Sequence, residues 1–579
     1  MTFPIVIGGT STDRGVSVSV DSSGNSYVTG TFRDTVDFDP GAGTTNLTGA
    51  GNDDTFIAKY NSDGTLAWAK SAGGTGSDYG RSIAVDSSGN SYLTGNFSGT
   101  ADFDPGAGTT NLTSAGSDDA FIAKYNSDGT LAWAKNVGGT DFDIGYSIEV
   151  DSSGNSYVTG TFQGTADFDP GAGTTNLTSA GDSDVFIAKY DSDGALVWAK
   201  SVGETNTDRG NSISVDSSGN SYVTGEFRNT VDFDPGAGTT NLTSAGNRDV
   251  LIAKYDSDGA LVWAKNVGGT SSDTSYSIEV DSSGNSYVTG NFSGTADFDP
   301  GAGTANLTSA GSSDVFIAKY DSDGALAWAK NVSGTSGDEG YSISVDSSGN
   351  SYVTGFFQGT ADFDPGAGTT DLTSAGGSDV FIAKYNSDGA LVWAKNVGGT
   401  SYDQGQSISV DSSGNSYVTG YFQGTADFDP GAGTANLTSA GGSDGFIAKY
   451  DSDGNFVSVV AQTPGGGSSG GGLTVTDQTS EDVTGTATGR TLVNNTDDTA
   501  TGALVSNTGN GNVVTATLPS GVSLTTSGTS AALPGSTAGT TLTGEIRANE
   551  EEVSQQSFLD GHGQTFITNS GDMALDIRS

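Results

Sequence analysis

Aspartates dominate the residues in this sequence that could do chemistry, and they come in pairs. Asp37-Phe-Asp39-Pro-Gly sets two carboxylates two residues apart. On an extended strand such residues point to the same side. The phrase returns at Asp102/Asp104, at Asp167/Asp169 and onward. Oxygen-only donors of this kind suit a hard cation, and calcium is the candidate cofactor, with loop-fixing Asx-turns as the alternative. Equivalents of Asp54 or Asp13 could complete a cage. A second set, Asp191-Ser-Asp-Gly and its counterparts, resembles half an EF-hand loop. It lacks the glutamate such a loop needs at position 12, so it reads as a turn.

Other catalytic chemistry is poorly supplied. The chain has no cysteine, and its one histidine, His562, lies outside the region where the aspartates recur. Cysteine- or histidine-based triads and zinc sites are therefore excluded. Paired carboxylates are the tools of a glycosidase. Catalysis, however, needs one distinguished pair with separated pKa values, and here the pairs recur alike. The sequence therefore predicts a protein that is not an enzyme, with a polysaccharide hydrolase or lyase as the less favoured reading.

The elements that hold these aspartates repeat. Asp-Ser-Ser-Gly-Asn-Ser-Tyr starts at Asp21, Asp86, Asp151, Asp216, Asp281, Asp346 and Asp411, always 65 residues apart. A fixed period of this kind marks a repeat architecture. Within residues 78–140 the pattern predicts four strands. Residues 81–86 alternate polar and apolar, residues 91–97 return, 119–125 form the third strand and 130–135 the fourth. Residues 87–90 and 126–129 are tight turns, with Asp86 placed to close an Asx-turn. The stretch 98–117 has room for a short extra hairpin, and Gly138-Gly139 is expected to break the fourth strand. With no helical period, the fold class is all-β: a seven-bladed β-propeller of four-stranded antiparallel blades. A C-terminal β-rich or partly disordered region follows.

The phrases themselves are recognisable. Each unit carries Val-Asp-x-x-Gly-Asn-x-Tyr-Val-Thr-Gly, Asp-Phe-Asp-Pro-Gly, Asp-Val-Phe-Ile-Ala-Lys-Tyr-Asp-Ser-Asp-Gly, Trp-Ala-Lys and Gly-Gly. Over roughly residues 5–460 this resembles the bacterial β-propeller repeat family SBBP, for seven-bladed β-propeller. The resemblance implies a propeller on secreted or surface-exposed bacterial proteins, and it implies no catalytic activity.

Trp68 and its counterparts mark six fourth strands. Counting back 65 gives Phe3, and counting forward gives Ser458. Residues 455–461 are expected to close the ring, because a two-residue hairpin makes their pairing local. The domains expected are a propeller over 1–461, a Gly/Ser linker over 462–472, and a small β-sandwich-like or stalk region over 473–579. Residues 550–558 are the one stretch that suggests a short helix. Gly73-Gly-Thr-Gly-Ser-Asp78 matches one calcium-binding nonapeptide but lacks its tandem copies. The Asn-Leu-Thr sequons at Asn46, Asn111, Asn176, Asn241, Asn306 and Asn436 read as hairpin residues.

Composition sets the partner. Net charge is −47, from 69 acidic and 22 basic residues. Nucleic acid is excluded for want of a basic footprint, and no run is long enough to span a membrane. No signal peptide is visible. Export by another signal, a fragment, or a protein that stays inside would each account for that. The expected location is extracellular or at the cell surface.

Comparison of the seven units separates two faces. The tight turns are the same or vary only Asp for Asn. Variation sits at the start of the first strand and the end of the second, which topology places near one mouth of the central channel. Arg14, Tyr79, Tyr146, Arg209, Tyr276, Tyr341, Phe356 and Tyr421 are the candidate ligand-binding residues. Aromatic rings among polar groups suit a glycan or a protein partner. The expected function is a binding or structural surface module. A self-assembling surface-layer or filament protein is the alternative.

Overall fold

The computed structural model describes residues 3–41 and 43–457, and the backbone of 524–526, 543–548 and 551–557. The chain divides into two compact units, Met1–Gln462 and Thr463–Ser579. Among the described residues no helix is long and apolar enough to cross a membrane.

In the first unit every repeat follows one plan. In the second repeat, Asp78–Val85, Ser91–Asp102, Asn111–Tyr125 and Leu131–Gly139 pair antiparallel in chain order. The expected turn forms at Asp86: its Oδ1 accepts the N–H groups of Ser88 and Asn90, both at 2.9 Å. Gly89 supplies the required positive φ of 78°. The predicted extra hairpin is present too. In the fifth repeat it runs Thr295–Asp297 against Asn306–Thr308. The sequon residues are one arm of these hairpins.

The Gly-Gly pair does not end the fourth strand. Gly138 and Gly139 pair with Asp167 and Ala166 of the next repeat's hairpin. A Cβ on Gly139 would collide with the carbonyl oxygen of Thr165, so only glycine lets that hairpin approach. This corrects the expectation of seven separate four-stranded blades. Hydrogen bonding crosses repeat boundaries, and the long strands fall into one ten-stranded, three six-stranded and two four-stranded sheets.

The core lies between consecutive repeats rather than within one. Tyr222, Val250, Ile252 and Val267 of one repeat pack against Ile278, Val288, Phe292 and Phe316 of the next. Phe298, from the Asp-Phe-Asp-Pro-Gly phrase, fills that space, 5.5 Å from the Phe292 ring and 5.0 Å from Phe316. A single unit thus leaves its apolar faces bare, and its neighbours cover them.

Polar stitches recur around the ring. The outer tryptophan donates to the next repeat's second turn, as Trp68 Nε1–H does to the Ser127 carbonyl at 3.1 Å. Tyr27 donates to the Gly89 carbonyl of the next repeat at 3.2 Å. Lys59 lies 4.7 Å over the Tyr27 ring. Around the channel, one serine hydroxyl per repeat accepts the N–H of the next repeat's first strand. Ser17 takes Ile83 and Ser147 takes Ile213, and so on to Ser407, which takes Val18. Removing one bond of this collar with Ser147→Ala leaves an N–H that water in the channel can reach. The expected cost is about 1 kcal/mol, read from a urea midpoint.

The ring closes through its N-terminus, against the expectation. Ile5–Ile7 pairs with Gly445–Ile447 as the outer strand of the last sheet. Phe3 takes the tryptophan's place: it packs beside Gly64 and sits edge-on to Tyr417 at 5.9 Å. Burial decides the contest. Phe3, Ile5 and Ile7 are buried, whereas the described part of the local candidate, residues 455–457, contributes a bridge from Phe456 to Tyr450 and a bond from the Val457 N–H to the Lys449 carbonyl.

In the second unit Leu524–Thr526, Thr543–Ala548 and Glu551–Ser557 form a three-stranded antiparallel sheet. The expected helix over 550–558 is thereby corrected. Its one internal apolar residue, Val553, makes no helical stripe, and Glu551–Ser557 pairs as a strand. The predicted linker, most of the region after it, and His562 lie outside the described residues.

Candidate binding site at the channel mouth

The first strands of the repeats surround a channel with a cavity of about 360 Å³. Registers such as Arg14 with Thr31, Arg209 with Glu226 and Gln404 with Tyr421 place strand starts beside strand ends at one mouth. The variable positions therefore meet there, as the topology of the sequence implies.

One arc of the mouth is aromatic. The rings of Tyr276 and Tyr341 lie 5.2 Å apart, and Tyr341 and Phe356 lie 5.7 Å apart. Tyr276 donates to Glu339 at 3.3 Å. Tyr421 donates to Gln404 at 2.6 Å and carries the Arg14 guanidinium 4.9 Å over its ring. Phe356 is buried, at 8% exposure, so it supports the arc more than it faces solvent.

The opposite arc is cationic. Residues 1–462 hold six arginines, and four of them, Arg33, Arg81, Arg209 and Arg248, meet strand-start and strand-end side chains here. Arg33 grips Asp53 with two bonds, at 2.6 and 2.8 Å, and Tyr79 donates to the same carboxylate at 3.1 Å. Burial works to raise Asp53, but these bonds override it and hold its pKa below the usual range. Arg248 reaches both oxygens of the buried Glu226 at 2.9 Å, and Arg209 stands 3.6 Å from it.

Arg81 differs from these. Its guanidinium lies 5.6 Å from the Tyr79 ring and 5.3 Å from the Tyr146 ring. Its Nε donates to Asn96 at 2.7 Å. Among the described residues no carboxylate pairs with it. Burial depresses its pKa from the usual arginine value, with the two tyrosines opposing.

Sequence reasoning missed two sets of residues. Position 53 and its equivalents read Asp53, Asp118, Ser183, Arg248, Ser313, Ser378 and Ser443. This variation at the start of the third strand was a legible signal. Inside the channel, Glu149 and Glu279 stand where other repeats carry Ser or Ala. Burial pushes Glu149 up to about 7 and, with Glu149 beside it, Glu279 up to about 8.

The comparisons agree with the phrases that define the repeat. The family model for the SBBP beta-propeller repeat matches residues 67–100, 197–226, 262–295, 327–355 and 392–424. The chain carries SBBP beta-propeller repeats. The family model thus recognises five propeller units, where the sequence reading expects seven.

Two curated relatives resemble this SBBP chain. An uncharacterized WD repeat-containing protein, L264 of Acanthamoeba polyphaga mimivirus, is 26% identical over 79% of this chain and 39% of its own length. Regulatory protein FlaEY of Caulobacter vibrioides is 25% identical over 71% of this chain and 43% of its own. The chain spans about two fifths of these relatives. Among solved structures, the WD40 repeats of RRP9 share 8% identity, with a TM-score of 0.38, over 77% of this chain and 96% of that one.

The SBBP phrase Asp-Phe-Asp-Pro-Gly behaves as a turn. Asp37 Oδ1 accepts the N–H groups of Asp39 and Thr45 at 3.0 and 2.8 Å, and Asp39 Oδ1 accepts that of Gly41 at 2.7 Å. Asp102 and Asp104 do the same, as do Asp167 and Asp169. Among the described residues no group of three or more acidic or histidine side chains converges as a metal site. The carboxylates expected to hold calcium are thus turned onto their own loop.

Proposed function

We propose that this SBBP propeller is a non-catalytic binding scaffold whose channel mouth takes a protein segment bearing a carboxylate. Arg81 carries the reading: a half-buried guanidinium, held between two tyrosine faces and without an acidic partner. A carboxylate arriving there forms a charge-assisted pair in a site already partly desolvated. Arg14, stacked on Tyr421, offers a second cation, and the Tyr276–Tyr341 arc offers an apolar landing surface. In a chain of net charge −47, this is the face that attracts an anion. The sameness of the repeated aspartate pairs speaks against catalysis by any one of them. The same proposal places the module outside the cell or at its surface.

A peptide array tests it, with acidic peptides beside their amidated counterparts. Arg81→Ala is expected to weaken binding of acidic peptides about tenfold, some 1.4 kcal/mol, and to leave amidated ones unaffected. Equal binding by Arg81→Ala and the parent would sink the proposal. The aromatic arc also favours a second reading, a glycan partner. A glycan array distinguishes the two, and release of products there would instead indicate an enzyme.

A further inference from the structure

Each repeat junction buries two carboxylates against one residue of the outer strand, glycine in all but one case. In the fourth junction these are Asp249 and Asp273, exposed by 0% and 1%. Both converge on Gly268. A Cβ placed there would stand 2.9 Å from Asp249 Oδ1 and 2.9 Å from Asp273 Oδ2. The pairing recurs as Asp54/Asp78, Asp119/Asp143, Asp184/Asp208, Asp314/Asp338 and Asp379/Asp403. It closes the ring as Asp444/Asp13, where Gly8 holds the equivalent place.

The third-strand carboxylate is only half used. Asp249 Oδ2 accepts the Ala245 N–H at 2.8 Å and the Asn266 side chain at 3.2 Å. Asp273 accepts Gly269 N–H on Oδ2 at 2.8 Å and Ser293 N–H on Oδ1 at 3.1 Å. Asp249 Oδ1 is buried with no partner. So is Oδ1 of Asp119, Asp184, Asp314, Asp379 and Asp444. None of these aspartates has an ion-pair partner among the described residues. Buried charge without compensation is costly. A shared proton neutralises one of the two charges, whereas a divalent cation neutralises both.

We propose that each junction binds one hard divalent cation, of the Ca²⁺ class, between its two buried aspartates. The bare oxygen of the third-strand aspartate and Oδ2 of the first-strand aspartate are the protein ligands, and the glycine is required because the carboxylates crowd that point of the outer strand. Backbone carbonyls and water complete an all-oxygen shell, as this ion requires. One junction carries Ser333 in place of the glycine. The carboxylates that hold the cation are therefore not those of the Asp-Phe-Asp-Pro-Gly turns.

Equilibrium dialysis of the full chain, stripped with EDTA and returned to micromolar Ca²⁺ at pH 8, tests this. About one ion per junction is expected, together with a rise in Tm, because a ligand held only by the folded state stabilises it. Asp249→Asn should lower the count by one, while Asp128→Asn, in an exposed turn, should leave it unchanged. No retained ion on the unmodified chain overturns the proposal. An undiminished count in a folded Asp249→Asn overturns it too. Should Asp249→Asn fail to fold, Asp273→Asn and the count on the unmodified chain decide.

Discussion

Deleting residues 1–9 is expected to open the ring and abolish most of the stability of the first unit. The deletion removes Phe3, Ile5 and Ile7, all buried. Truncating one large core side chain costs about 2–5 kcal/mol, and a domain's whole stability is about 5–15 kcal/mol. The deletion also bares the edge of Asp444–Tyr450, whose pairing with Ile5–Ile7 is lost. An exposed strand edge recruits other chains. Urea melts should show a large fall in midpoint, and size-exclusion chromatography should show dimers or larger species. A synthetic peptide of residues 1–9 should restore the monomer. An unchanged midpoint with a monomeric profile would mean that another segment closes the ring.

The second large effect is on pH. With divalent ions chelated, the folded chain is expected to be more stable near pH 5 than near pH 8. Burial, reinforced by a neighbouring aspartate, pushes Asp78, Asp143 and Asp208 up to about 7 and Asp273, Asp338 and Asp403 up to about 6. Glu149 and Glu279 shift the same way. The unfolded chain releases these protons near pH 4, while the folded chain keeps them until pH 6 to 8. Their stabilisation is complete below pH 4 and is lost as pH rises through the folded pKa values. Each pKa unit is worth about 1.4 kcal/mol, so even with partial cancellation the sum is on the order of 5 kcal/mol. Asp53, held low by Arg33, runs the other way and favours higher pH. Thermal melts in EDTA at 0.5 M salt, roughly a 4–5 Å screening length, separate this effect from general charge repulsion. A Tm that rises from pH 5 to pH 8 would contradict it.

Local structure was legible because its signals are local. Asp86 and Gly89 announce their turn, and the alternation in Arg81-Ser-Ile-Ala-Val announces its strand. What failed was long-range. Gly138-Gly139 looks like a strand breaker until the next repeat's hairpin is seen resting on it. Residues 455–461 look like the better closing strand, since nearness in sequence is visible and burial of Ile5 and Ile7 is not. The mouth was found because its positions vary together between repeats. Asp53 and Arg248 vary in the same way but start the third strand, about 20 residues from the other mouth positions, and join them only in the folded sheet. The spacing of Asp37 and Asp39 makes them the conspicuous cation candidates in the sequence, whereas the proposed pair cannot be read there. Asp249 and Asp273 are 24 positions apart and meet only in the fold.

The tyrosine stitch explains where the repeats are free to differ. Tyr27 reads the turn of its own repeat, at Asp21, and that of the next, at Gly89. Trp68 reaches across in the same way. Each turn therefore answers to two repeats, so a substitution there must be tolerated by both and is penalised at two interfaces. Mouth contacts differ from junction to junction: Gln404 bonds Tyr421 of its own repeat, whereas Tyr276 crosses to Glu339 and Arg14 to Tyr421. When a unit is copied whole, the turns arrive already matched to their neighbours and stay matched only if left alone. The mouth is where a copied unit can acquire an individual character.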